Sequence, residues 1–246
     1  MEEYDKFDQH KDGRYWNNYF NKNIEFYRLI QDHIKEFLSD QSTFGLDIGA
    51  GPGVGARLCA DAGIETRLVG YEPSETHFDG VKFAEELKES RSSVFYEPYH
   101  GGITDIQLKS NLDYMTILRA SHEIAGSLKG KDRFIEELRK LTPKLNKGGA
   151  IILGEPQFHN EIMENPQNYQ SVISKVQKWQ LENIEHYHVP SDYFTHKEMK
   201  QIIESIGFKL QREDIQGYRG EFEYIKEGKI IKANSSVFYV HTYIKK

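Results

Sequence analysis

Apolar residues recur along this chain with two different spacings, and the switches between them outline most of its elements. Over 17–39, Ile24, Tyr27, Ile30, Ile34 and Phe37 fall three and four residues apart, the spacing of one helix face. Residues 44–48 form a short apolar strand. The helix after it turns Val54, Leu58, Cys59 and Ala62 inward and stops at Gly63. A second strand is predicted at 66–72, a helix from Pro73 through Val81 and Leu87 to about Ser90, and a third strand near 93–96. A fourth strand covers 112–119. A helix from about Asp132 buries Phe134, Leu138 and Leu141, and a fifth strand follows at 150–154. Repeated strand–helix–strand units of this length predict a doubly wound α/β fold, mostly parallel, with helices on both faces. Such sheets bind ligands beyond the carboxyl ends of their strands.

After the fifth strand the rhythm breaks. Residues 156–194 are polar and aromatic, with helical stretches and no evident strand, and they are expected to form a helical cap inserted over the site. Order resumes at Thr195-His196-Lys197-Glu198, a capping box that opens a helix through Met199, Ile202, Ile203 and Ile206 and ends at Gly207. A sixth strand near 208–210, a hairpin turn at Glu227-Gly228 and a last strand at 236–243 bring the expected sheet to seven strands. The predicted organisation is an N-terminal lid and helix over 1–40, then one domain over 41–246 that carries the cap at 156–194.

The candidate chemistry starts at the end of the first strand, in Asp47-Ile48-Gly49-Ala50-Gly51-Pro52-Gly53. Backbone without a Cβ can lie against a ligand, and the free N–H groups of the next helix point at it. Glu72 ends the second apolar run, where an acid suits ribose hydroxyls. The two features together mark a nucleoside-containing cofactor. Two registers compete. Gly51-x-Gly53-x-x-Ala56 fits the permissive dinucleotide fingerprint. Asp47-x-Gly49-x-Gly51-x-Gly53 is the other reading.

The second register resembles motif I of the class I S-adenosylmethionine-dependent methyltransferases. Leu112-Asp113-Tyr114-Met115 resembles that family's fourth-strand motif. The stretch from Lys140 to Gly149 resembles its leucine–lysine–proline–glycine–glycine turn before strand five. The likeness covers roughly 40–155, and 195–246 in pattern only. It implies a Rossmann-like fold and S-adenosyl-L-methionine as cofactor. Carried over, Gly49, Gly51 and Gly53 pass close to the methionyl part, Asp47 takes its amino group, and Glu72 holds both ribose hydroxyls. The family's acid or amide after strand three has only a loose match, so Glu97, Tyr99 and His100 all stand as adenine partners, with Tyr99 taken as the candidate. The N-terminal lead and the cap match no family motif.

In this fold the acceptor sits after strand four, at Arg119-Ala120-Ser121-His122-Glu123. His122 titrates near neutrality and is the candidate general base or orienting group. Arg119 suits a carboxylate or phosphate on the substrate. Glu155, at the end of strand five, is the third catalytic candidate, and His159 opens the cap. Plainer roles compete: a cap or packing role for His122, a salt bridge for Arg119, a turn or helix cap for Asp47 and Glu72. Tyr15, Trp16 and Tyr19 suit a lid across the cofactor or an anchor for the first helix.

Composition narrows the partners. Lys and Arg number 32 against 38 Asp and Glu, a formal charge of −6 with no block of one sign, which gives no basic face for nucleic acid. The Asn- or Asp-Pro-Pro-aromatic motif of nucleic-acid amino methylation is missing from Leu118-Arg119-Ala120-Ser121. A single cysteine rules out an internal disulfide and a multi-cysteine metal site. His186-Tyr187-His188 has no third ligand nearby, so no metal is expected. A charged start and the lack of a long apolar run give the expectation of a cytoplasmic protein with no membrane partner. The 15 Tyr and 14 Phe, many outside the strands, suit an aromatic-lined pocket. The resulting expectation is an enzyme that moves a methyl group from S-adenosylmethionine to an oxygen or nitrogen of a small-molecule acceptor. A nicotinamide-dependent oxidoreductase and a non-catalytic S-adenosylmethionine-binding protein are the rivals. The oligomeric state is not written in the sequence.

Overall fold

The computed structural model describes residues 23–38, 43–74, 77–128, 130–184 and 193–246. The lid expected before residue 23, with Tyr15, Trp16 and Tyr19, and the pair His186 and His188 lie outside the described residues. The strands are β1 (Thr43–Ile48), β2 (Thr66–Glu72), β3 (Val94–His100), β4 (Leu112–Leu118), β5 (Leu145–Phe158), β6 (Phe208–Lys226) and β7 (Lys229–Lys245). They form one seven-stranded sheet in the order β3-β2-β1-β4-β5-β7-β6. The pairs from β3 to β5 are parallel, and β7 runs antiparallel to both β5 and β6. The strand order reverses between β1 and β4, so the carboxyl ends of those two strands form the crevice where a doubly wound sheet takes its ligand.

Two helical layers bury the two faces. On one side lie α1 (Ile24–Leu38), α2 (Val54–Ala62) and α3 (His77–Glu89). Phe26, Tyr27, Ile30 and Ile34 of α1 and Ala56, Leu58 and Cys59 of α2 pack there against Leu68, Tyr114, Ile152 and Phe238 of the sheet. The buried stripe of α1 is turned slightly from the predicted one. Phe26, His33 and Leu38 are buried, whereas Ile24 and Phe37 sit at its margins. Gly154 of β5 permits this approach, because a Cβ there would come within 2.8 Å of the Ile30 side chain. On the other face, α5 (Lys131–Leu141) and α8 (His196–Ser205) bring Phe134, Leu138, Met199 and Ile203 onto Leu46, Ile117, Leu153 and Tyr243. The capping box of α8 forms as predicted: the Thr195 hydroxyl accepts from Glu198 N–H, and the Glu198 carboxylate accepts from Thr195 N–H.

Four strands are longer than their sequence pattern suggests. β3 runs on to His100, β5 starts at Leu145 and continues to Phe158, and β6 and β7 form a long hairpin whose turn is Glu227-Gly228. Residues 156–158 are therefore strand rather than cap. The hairpin turn is where the sequence places it, but the length of the two strands is not legible, because the outer half alternates without a dense apolar face. Phe222, Tyr224 and Ala233 on that half pack instead against α6 (Asn160–Glu164) and α7 (Gln170–Ile184). Together with Phe158, Ile162, Ile173 and Tyr193 they make a small third core beside the end of β5.

Candidate functional site

The turn after β1 is wound by three left-handed glycines, with φ of +69° at Gly49, +53° at Gly51 and +88° at Gly53. An L side chain rarely takes these angles. Two of the glycines also make close approaches. A Cβ on Gly49 would overlap the Cβ of Ala120, and one on Gly53 would lie 3.0 Å from the rings of Phe83 and Tyr96. The turn is thus pressed onto the loop after β4.

Asp47 lies beneath this turn, fully buried. Its carboxylate accepts from the Thr116 hydroxyl at 2.6 Å and from Gly55 N–H at 3.2 Å. Burial, only partly offset by those two hydrogen bonds, pushes its pKa up to about 6. Asp47 therefore braces the turn and the start of α2 from below. Glu72 lies at the turn itself. Its carboxylate accepts from Gly51 N–H at 2.8 Å and from the Ser74 N–H and hydroxyl at 3.0 and 2.6 Å. Burial raises its pKa, against the pull of these donors, and the charge of Glu123 adds to the rise.

The three adenine candidates separate in the structure. Glu97 pairs with Arg67 at 2.6 Å. Tyr99 donates to Glu97 at 3.3 Å, stacks on Tyr71 with ring centres 5.3 Å apart, and keeps its outer face exposed. His100 Nε2 reaches the Pro73 carbonyl at 2.9 Å, tying the end of β3 to the loop after Glu72.

At the acceptor end the structure brings His122 and Glu155 together and turns Arg119 away. The loop after β4 leads into α4 (Ser121–Ser127). Glu155 Oε1 accepts from the N–H groups of Ala120 and Ser121 at 2.9 and 2.8 Å, satisfying donors that the helix start leaves open. Its Oε2 lies 3.1 Å from His122 Nδ1. Glu123 Oε1 lies 3.4 Å from His122 Nε2. Burial works to lower the His122 pKa, but the hydrogen bonds and charges of Glu123 and Glu155 outweigh it and raise it above its usual 6.5. One face of the imidazole is covered by Tyr193, whose ring centre is 4.7 Å away. Arg119 has φ +59° and its N–H donates to the Gly154 carbonyl at 2.7 Å. Its guanidinium lies 5.2 Å over the ring of Phe238, which stacks on Phe26 of α1. His159 Nδ1 accepts from Glu161 N–H and caps α6.

A family model described as a methyltransferase domain matches residues 20–213. The chain belongs to that methyltransferase family. It is an S-adenosylmethionine-dependent enzyme of this class. The methyltransferase also resembles solved structures at low identity, which bears on its fold. MccD protein is 14% identical, with 89% of this chain and 96% of that one covered and a TM-score of 0.62. YcgJ of Bacillus subtilis is 12% identical over 88% and 98%, with a TM-score of 0.56. A SAM-dependent methyltransferase from Aquifex aeolicus is 16% identical over 87% and 89%, with a TM-score of 0.50. No curated protein matches the chain by sequence.

The methyltransferase's own residues fit its cofactor. The turn offers backbone without side chains beside the half-buried Glu72 carboxylate, an acceptor suited to two ribose hydroxyls. Among the described residues, no group of three or more His, Cys, Asp or Glu side chains is arranged to hold a metal, and no helix is long and apolar enough to cross a membrane. Sequence reading missed four contributors. Thr116 had a signal, a hydroxyl in an apolar strand, and it pairs directly opposite Asp47. Gly55 had one too, as the last glycine of the run; a Cβ there would overlap the Asp47 carboxylate. Ser74 had a local signal, a hydroxyl two residues after Glu72, whereas Tyr193 carried none, since its partners are set by tertiary packing.

Proposed function

We propose that the enzyme methylates an oxygen or nitrogen of a small molecule held between His122 and the aromatic wall at the end of β5. S-adenosylmethionine supplies an activated methyl group on a sulfonium, displaced in line by the acceptor atom. Glu72 takes the ribose hydroxyls, the glycine turn passes the methionyl part, Asp47 holds the turn that the amino group meets, and Tyr99 offers an open ring face to the adenine. His122 accepts the proton that a hydroxyl or ammonium acceptor must lose. Glu155 does not touch the acceptor; it is a positioning residue that takes the Nδ1–H, so that Nε2 is the accepting atom, with Glu123 Oε1 3.4 Å away to hold the proton once it has arrived. Residues 159–184 and the outer hairpin cap the acceptor. Arg119, whose guanidinium lies over Phe238, is given no part in this reading.

The observation that carries this reading is the buried Glu155–His122 pair at 3.1 Å, beside a glycine turn packed on Ala120. Both acids at His122 and the enclosing rings of Tyr193 and Phe158 suit a small enclosed acceptor rather than a polyanion. The test is a panel of small phenols, alcohols and amines incubated with S-adenosylmethionine, with S-adenosylhomocysteine read by mass spectrometry. His122→Ala is expected to lower turnover about a hundredfold or more, within the range of general-base catalysis, while S-adenosylhomocysteine binds as before. Turnover equal to wild type would remove the base. Cofactor binding with no product from any acceptor class would favour the non-catalytic binding protein.

A further inference from the structure

Tyr193 is followed by two fixed residues. Phe194, next to it, is buried in the main core against Phe134, and its carbonyl accepts from the Tyr239 hydroxyl at 3.3 Å. Thr195 follows and is locked in the capping box of α8. The backbone that carries Tyr193 is therefore held by the sheet core and by a helix start. On its other side the edge of the Tyr193 ring meets Phe158 at 5.3 Å and 88°. The ring itself lies nearly parallel to the His122 imidazole, 4.7 Å away and tilted by 15°. Contacts at Nδ1 to Glu155 and at Nε2 to Glu123 let an imidazole tip about the line joining the two nitrogens, and a flat ring on one face opposes that motion.

We infer that Tyr193 is a positioning residue for methyl transfer: its ring sets the plane of the His122 imidazole between Glu155 and Glu123, and with it the direction from which Nε2 meets the acceptor, and its π face steadies the imidazolium that forms when the proton is accepted. This rests on the reading of His122 as the base. Among the described residues, three groups face the imidazole: Glu155 from β5, Glu123 from α4 and Tyr193 from the segment before α8. The two carboxylates favour the charged ring by their charge. Tyr193 adds the attraction of an aromatic face for a cation. Its hydroxyl plays no part in either effect, so phenylalanine should serve equally well.

The first measurement uses the intact wild-type protein with S-adenosylhomocysteine bound and histidine labelled for NMR, the His122 signal being assigned by its loss in His122→Gln. The stack predicts ring protons moved upfield by the Tyr193 ring current and a titration midpoint above 6.5. Tyr193→Phe should keep both. Tyr193→Leu should lose the upfield shift and lower the midpoint, and it should lower turnover about tenfold with the KM for S-adenosylmethionine unchanged. An ordinary His122 shift in the wild type overturns the proposal without any variant having to fold. So does a Tyr193→Leu protein with wild-type midpoint and turnover. In both cases the base reading can stand. If His122→Gln keeps full turnover, the base reading fails and the positioning role falls with it.

Discussion

Glu155 accepts three hydrogen bonds in a buried place, and its two simplest replacements separate its structural from its chemical part. Glu155→Ala leaves the N–H groups of Ala120 and Ser121 without the acceptor that now lies 2.9 and 2.8 Å away. Each unsatisfied buried donor costs about 1–3 kcal/mol, so the pair costs about 2–6 kcal/mol. That is a large share of the roughly 5–15 kcal/mol that holds a domain folded. Glu155→Gln keeps a carbonyl oxygen for the same two donors and should cost little stability. What it changes is the contact to His122 Nδ1, 3.1 Å away. An amide NH2 turned toward Nδ1 moves the ring proton to Nε2, the atom that must accept. A lost hydrogen bond to a charged group is worth about 1.5–3 kcal/mol, and about 1.4 kcal/mol is a factor of ten, so turnover should fall roughly ten- to a hundredfold. Urea unfolding measures the first effect and S-adenosylhomocysteine formation the second. The reasoning is refuted if Glu155→Gln costs as much stability as Glu155→Ala, or if it turns over like wild type.

Glu72→Gln keeps an oxygen for Gly51 N–H but loses the charge offered to the ribose, so calorimetry should find S-adenosylhomocysteine bound about tenfold more weakly or worse; an unchanged affinity would remove its cofactor role. Gly49→Ala forces a side chain into φ +69° and onto the Ala120 Cβ, at a combined cost of about 2–5 kcal/mol. For a chain of this size that lowers Tm by roughly 2–4 °C per kcal/mol, and adding Ala120→Gly should recover only the steric part. A wild-type Tm for the single variant would contradict the close approach. The raised pKa of His122 gives a signed pH effect, because a base held more tightly protonated in the folded state adds stability below 6.5 that is lost as pH rises through the folded midpoint. Glu123→Gln should therefore cost more stability well below 6.5 than well above it, and should move the acid limb of the rate profile to lower pH. Equal costs at both ends would deny the pairing.

The parts of the fold that sequence reveals are those fixed by local rules. β2 over 66–72, the stop at Gly63, the capping box at Thr195 and the turn at Glu227-Gly228 each follow from residues within a few positions of one another. The lengths of β3, β5, β6 and β7 were not legible, since a strand continues as long as a neighbour offers hydrogen bonds. β5 runs to Phe158 because β7 pairs with it as far as Ser236, and neither segment states that alone. At the site, the glycine turn and Glu72 were legible as a pattern. Arg119 was not, because its direction depends on a left-handed backbone and on Phe238, more than a hundred residues away.

The donor and acceptor ends of the crevice are built as one piece. Gly49 packs on Ala120, whose N–H is bound by Glu155, which in turn holds His122. Glu123, the next residue, lies near enough to Glu72 for its charge to raise the Glu72 pKa. A shift of the turn by an ångström would therefore move the base with it. Methyl transfer creates little charge for a protein to stabilise, so its rate depends chiefly on holding donor and acceptor in line. A rigid link through Gly49, Ala120 and Glu155 provides that alignment, and it explains why Gly49, a residue with no side chain, should be among the least replaceable in the site.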